Sequence, residues 1–158
     1  MIKTGLGYDV HKLKTGFKLV IGGVEIPSEF GAVGHSDGDV LIHAIVDALL
    51  GAAGLGDIGK LFPSSDDQWK DADSRRFLQL TAAKIRRSHF KILHVDSIVI
   101  LQEPKLAGFL SQMQYQIAHN LQVDQDAVSI KATTTDHLGY LGEKKGLAAQ
   151  AIATLQKK

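Results

Sequence analysis

A chain of 158 residues, 44% hydrophobic and 22% charged, has the length and make-up of one soluble globular domain over residues 1–158. Lys and Arg total 18 against 17 Asp and Glu, a net charge of +1, which speaks against a protein built to coat nucleic acid or an anionic membrane. Cysteine is absent, so disulfides are excluded and any zinc site must be made from histidine and carboxylate.

In chain order, residues 1–5 lack an apolar signal core, and no apolar run approaches the ~20 residues of a membrane span; a cytoplasmic protein is expected. Residues 2–13 read as a strand interrupted by Gly5 and Gly7, and 17–26 as two short strands turning at Gly22-Gly23. A helix is expected from Asp39 to Gly54, with Leu41, Ile45, Leu49 and Ala52 on one face and Ser36 or Asp37 as its cap. Residues 56–73 read as loop, and a second helix starts near Asp73-Ser74. A buried strand over 95–101 closes at Pro104. Leu106, Leu110, Met113, Ile117 and Leu121 step at helical spacing, and 128–135 is rich in β-branched residues. Residues 147–155 read as a last helix. This alternation predicts an α/β or α+β domain of two layers.

Asp9 and His11 lie two apart in an extended segment and share one side of the strand. Asp39, His43 and Asp47 follow at i, i+4 and i+8, one line along the first helix. A helix packed on that strand brings His43 against Asp9 and His11. Two imidazoles and a carboxylate supply three zinc ligands and leave the fourth position open, the catalytic pattern. Asp39 and Asp47 then fall near the ligand imidazole, with Asp47 placed to orient it. The same spacing also describes a chance D-x-H pair and a solvated polar helix face, and spacing alone leaves both readings open.

His35-Ser36-Asp37-Gly38-Asp39 stands where the first helix begins, a position suited either to a phosphate or to ordinary capping. The loop carrying Asp57 and Gly59 has the glycines and carboxylate to close over a polyol, or to form a surface turn. Lys105, after the strand ending at 101, borders the sheet edge where ligand clefts open. His89, His94 and His119 lack partners at ligand spacing.

Gly7-Tyr8-Asp9-Val10-His11, the run Gly34-His35-Ser36-Asp37-Gly38-Asp39-Val40 through His43, the block over 47–63 and Lys131-Ala132-Thr133-Thr134-Thr135 together resemble the 2-C-methyl-D-erythritol 2,4-cyclodiphosphate synthase family. The resemblance runs from the first strand to the last helix. It implies an α+β homotrimer whose subunit is a mixed sheet with helices on one face, related to the ferredoxin-like fold, with active sites between subunits. It also implies cyclisation of 4-diphosphocytidyl-2-C-methyl-D-erythritol 2-phosphate with release of CMP, in non-mevalonate isoprenoid synthesis.

By motif position the resemblance makes Asp9, His11 and His43 the zinc ligands, with Mg²⁺ or Mn²⁺ bridging the substrate diphosphate. It makes His35 and Thr134 the transition-state stabilisers. His35 and Ser36 hold phosphate, while Asp57, Ile58 and Gly59 meet the erythritol. Val10, Phe62, Pro63, Ser64, Ser65, Asp66 and Tyr140 complete that set. Leu101, Gln102, Glu103, Pro104, Lys105, Leu106 and Ala107, with Thr133, Thr134, Thr135 and Asp136, surround the cytidine diphosphate from the adjacent subunit. Two positions depart from the family pattern: Asp136 stands for a common Glu that helps place the second metal, and Ser64 for a common Asp. A third departure lies in the loop over 139–146, which in this family lines an apolar cavity on the threefold axis. Glu143 and Lys145 exchange the usual signs there, so a reversed ion pair and weak binding of isoprenoid diphosphates are expected.

Overall fold

The first strand, β1 (Ile2–Thr15), runs through Gly5 and Gly7 without interruption. It is followed by the hairpin β2 (Leu19–Ile21) and β3 (Val24–Ile26), then β4 (Phe30–Val33) and the helix α1 (Val40–Ala53). A single helical turn, α2 (Ile58–Leu61), precedes α3 (Ser74–Arg87), β5 (Phe90–Ile100) and α4 (Leu110–Leu121). The chain ends with β6 (Val128–Thr133), the short α5 (Gly139–Gly142) and β7 (Gly146–Lys157). This is a computed structural model describing residues 1–158.

The five long-range strands form one mixed sheet in the order β4-β1-β7-β5-β6. Only β5 and β6 are parallel, joined through α4; β7 runs antiparallel to both its neighbours. The helices cover one face, and 38 buried side chains form one core between α1, α3, α4 and that face. The opposite face carries Leu6, Tyr8, Val10 and Ile152, each more than two-fifths exposed.

The segment 147–155, expected to be helical, is the central strand β7. Its alanines are good helix formers, but Leu147, Ala149, Ala151, Ala153 and Leu155 alternate onto the buried face with period two. Small residues are required there because α1 lies directly on β1 and β7. The same closeness explains the glycines of β1. A Cβ at Gly5 would stand 2.1 Å from the Ala48 carbonyl oxygen, and one at Gly7 1.8 Å from that of Ala44.

Other boundaries shift for local reasons. The expected loop over 56–73 contains α2 and a 3₁₀ turn at Asp67–Trp69. β5 starts at Phe90 rather than 95, extended by its pairing with the end of β7. α4 starts at Leu110, after a 3₁₀ turn over Ala107–Phe109. Neither Ser36 nor Asp37 caps α1. Asp39 does, and its carboxylate also accepts from the Gly22 and Gly23 amides at 2.9 and 2.7 Å, which ties the β2–β3 turn to the helix. At the other end Gly54 adopts φ +71°, the left-handed stop expected of a glycine after a helix.

Candidate metal centre and substrate cavities

Alternation along β1 turns Asp9 and His11 toward the helices, and the Gly7–Ala44 contact sets His43 directly above them. The ligand atoms of the three residues lie within 4.8 Å of one another. His43 Nδ1 stands 3.2 Å and His11 Nδ1 2.9 Å from the same oxygen, Asp9 Oδ2. The two imidazoles are only 11% and 13% exposed, and Asp9 27%.

Burial pushes the Asp9 carboxyl up, yet the close contacts and charges of His11 and His43 outweigh it and hold it at about 2. Burial likewise pushes His43 down, and the hydrogen bond and charge of Asp9, with Asp39 and Asp37 behind it, raise it above its ordinary value. Both directions describe a spot that favours positive charge. The contact of His11 Nδ1 with Asp9 is close but misaligned, so this buried nitrogen has no hydrogen-bond partner. A buried imidazole nitrogen without a partner, beside a carboxylate and a second imidazole, fits a divalent cation, whose tetrahedral ligands sit roughly 3.3 Å apart at zinc bond lengths. Asp9, His11 and His43 are close enough to bind a metal ion.

The cluster opens into a cavity of about 230 Å³ walled by His35, Ser36, Ile58, Gly59, Phe62 and Ser64. Trp69 and Phe77 close its floor, Phe62 stacking on Phe77 with ring centres 4.4 Å apart. Sequence reasoning missed both aromatics; each follows a polar stretch that reads as loop or helix start. A second cavity, of about 210 Å³, lies where β5 and β6 end. It is lined by Leu101, Gln102, Pro104, Lys105, Leu106 and Ala107 on one side and Thr133 and Thr134 on the other.

The YgbB family matches residues 2–156. The chain belongs to that family. A curated relative, the 2-C-methyl-D-erythritol 2,4-cyclodiphosphate synthase of Desulforamulus reducens, is 51% identical over 156 residues, 99% of each chain. Among solved structures, IspF from Plasmodium falciparum in its CDP complex superposes with a TM-score of 0.87 at 37% identity, covering 99% of this chain and 97% of that one. The bifunctional IspDF of Campylobacter jejuni reaches a TM-score of 0.96 at 43% identity; it covers all of this chain, which spans 43% of that longer protein.

Within the YgbB chain, several predicted site residues stand elsewhere than the sequence suggests. Asp47 does not touch His43; its Oδ1 accepts from the Ile58 amide at 2.7 Å and fixes the start of α2 on α1. Asp39 is fully buried as cap and turn anchor, and burial with the nearby Asp37 charge pushes its carboxyl up to about 6. The start of α1 is therefore not a free phosphate seat: Asp39 takes the Ile42 amide, and Val40, Leu41 and Ile42 are buried. Val10 turns to the open face of the sheet, as alternation from Asp9 demands. Tyr140, in α5, faces Tyr8 across 3.4 Å and lines neither cavity. Asp57 caps α2 through the Lys60 amide. Ser65 is exposed, and the Asp66 carbonyl oxygen lies 3.4 Å from His35 Nε2.

His35 and Thr134, the two expected stabilisers, line different cavities. Thr135 bonds the Leu138 carbonyl, while Asp136 takes the left-handed φ +50° beside Thr134. Glu143 pairs with Lys145, and Lys144 with Glu103 at 2.6 Å. His94 meets Ser129 at 3.3 Å, a structural contact. No helix is long and apolar enough to cross a membrane.

Proposed function

We propose that this chain is a 2-C-methyl-D-erythritol 2,4-cyclodiphosphate synthase. It cyclises 4-diphosphocytidyl-2-C-methyl-D-erythritol 2-phosphate with release of CMP, a phosphorus–oxygen lyase reaction of non-mevalonate isoprenoid synthesis. The observation that carries the reading is the Asp9–His11–His43 cluster at the mouth of a cavity, in a chain that aligns end to end with relatives of that name. The solved neighbour in complex with CDP supports a cytidine diphosphate-linked ligand.

The nucleophile of this reaction is a phosphate of the substrate itself, already anionic, so the protein needs no general base. It needs to fold the substrate back on itself and to stabilise charge growing on the diphosphate. Asp9, His11 and His43 would hold zinc, which would supply Lewis-acid polarisation and a template, and Mg²⁺ or Mn²⁺ bound with the substrate would offset the charge of the leaving group. In this reading His35 and Ser36 hold the phosphate beside the cluster. Ile58 and Gly59 fit around the methylerythritol, with Asp57 accepting from its hydroxyls. The turn over 101–107 takes the cytidine, and the Thr134 hydroxyl donates to the transferring phosphoryl oxygens.

Each cavity alone is smaller than the roughly 300–1,000 Å³ of an ordinary ligand site. A nucleotide-linked polyol therefore needs both, and the proposal places the halves on neighbouring subunits of a homotrimer. The exposed apolar row Leu6, Val10 and Ile152 on the uncovered sheet face supports such an assembly. Within that assembly the fold is taken as related to the ferredoxin-like sandwich, and the protein as cytoplasmic.

Incubating the protein with substrate and Mg²⁺, followed by phosphorus NMR, tests the reading. Equimolar CMP and a cyclic diphosphate are expected. Release of inorganic phosphate would point instead to a metallophosphoesterase, and no turnover to a binding module.

A further inference from the structure

Ser74 is fully buried at the first position of α3, yet its hydroxyl plays no part in capping that helix. Asp73 is the cap, accepting from the Arg75 amide at 2.9 Å. The Ser74 hydroxyl points instead into the interior, between the Asp37 carboxylate and the outer nitrogen of His43.

We propose that Asp37 and Ser74 are positioning residues that dictate which nitrogen of His43 is offered to the metal. The proposal rests on the metal-site reading above. It follows from counting protons along a chain of contacts. A carboxylate only accepts hydrogen bonds. Asp37 takes the Ser74 amide on Oδ2 at 2.9 Å and the Asp39 amide on Oδ1 at 3.2 Å, and the Ser74 hydroxyl donates to Oδ1 as well. That hydroxyl has a single proton, now committed to Asp37. Ser74 Oγ therefore presents only lone pairs to His43 Nε2, 3.0 Å away. Nε2 must carry the ring proton, so Nδ1 keeps its lone pair on the side of Asp9 and His11.

Ser36 Oγ, 3.1 Å from the same Nε2, has no such commitment and adapts to whichever form Ser74 imposes. Direction in the chain thus originates at Asp37. Without it, the alternative ring form is the comfortable one, because an Nδ1 proton would bond Asp9 Oδ2 across 3.2 Å and fill the place of the ion. The arrangement is a hydroxyl-relayed version of the carboxylate–histidine–metal triad, in which the outer partner fixes both tautomer and ring orientation.

Asp37→Asn is the sharpest variant, since an amide can donate to Ser74 Oγ and free its hydroxyl to donate to His43. Ser74→Ala removes the relay and is the second arm. Two readouts are made on native protein and both variants: zinc affinity by competition with a chromophoric chelator, and the His43 ring by nitrogen-15 NMR of the metal-free protein at alkaline pH. The native chain is expected to show the Nε2–H form. Both variants are expected to shift toward Nδ1–H and to bind zinc roughly 10–100-fold more weakly. A merely structural role would lower the melting temperature without changing the tautomer. Native-like zinc affinity in both variants, or an unchanged Nε2–H form, overturns the proposal. Failure of the native chain itself to bind zinc overturns the metal reading and this proposal with it, and the native arm tells the two failures apart.

Discussion

Gly7 lies beneath Ala44 so closely that a Cβ on the glycine would meet the Ala44 carbonyl oxygen at 1.8 Å. This contact lowers α1 onto β1, and it sets the height of His43, one residue before Ala44, above Asp9, two residues after Gly7. Packing distance and site geometry are therefore one quantity.

Gly7→Ala forces helix and strand apart, since the clashing atom is backbone and cannot swing away. A loss of about 1–3 kcal/mol is expected from overpacking. Metal affinity falls as well, because His43 rises away from its partners. Chemical denaturation and metal titration check this; a variant as stable as the native chain would show that α1 is not pinned here.

The buried Asp39 carboxyl, held up at about 6, makes a signed prediction about pH. Its folded-state value lies above the ordinary one, so the folded chain holds the proton longer than the unfolded chain. The group's contribution is greatest below its ordinary pKa and is lost as pH rises through 6, a change of about 3 kcal/mol. Against Asp39→Asn, which cannot ionise, the native advantage in unfolding free energy should shrink between pH 4 and pH 7. Asp9 titrates in both proteins and cancels. A difference independent of pH would mean that Asp39 ionises as freely as a surface carboxylate.

His43→Ala should remove the metal and nearly all turnover while the fold survives, for Asp9 and His11 reside on a separate strand and α1 keeps its apolar contacts. Elemental analysis with size-exclusion chromatography decides it. Full metal occupancy in a variant of native size would reject the ligand assignment.

Thr134→Ala should lower kcat by roughly 10²–10³-fold, the cost of one donor aimed at developing charge, with metal content unchanged. Thr134 is exposed in the second cavity, so stability should hardly move. Unchanged kcat/KM would dismiss the hydroxyl from the transition state.

Glu143 is paired with Lys145, and Lys144 with Glu103, so the exchanged charges expected from the sequence form ion pairs within the chain. Surface pairs of this kind are worth about 0–1 kcal/mol, and lysine lacks the bidentate fork of arginine. Calorimetric titration with geranyl diphosphate should show weak or no binding by the native protein and stronger binding by Glu143→Arg. Tight native binding with no gain from the arginine would clear Glu143 of any role in isoprenoid diphosphate binding.

The sequence by itself determined the local pieces. Asp9-x-His11 had to share a strand face, His43 had to lie inside α1, and Gly54 had to end that helix, because period, side-chain direction and the left-handed stop are properties of short segments. The family motifs were equally legible, being contiguous. Tertiary structure alone decided the rest. The segment 147–155 carries residues that suit a helix, and it is a strand because α1 leaves room only for small side chains between two partners. Gly5 and Gly7 look like breaks in a strand until a helix carbonyl is seen above each. Asp47 shares a helix face with His43 but serves the Ile58 amide, and Asp37 and Ser74, 37 positions apart, meet at His43 with no spacing to announce it. Such hydrogen bonds depend on where two distant backbones cross, and nothing within a few residues of either partner encodes that crossing.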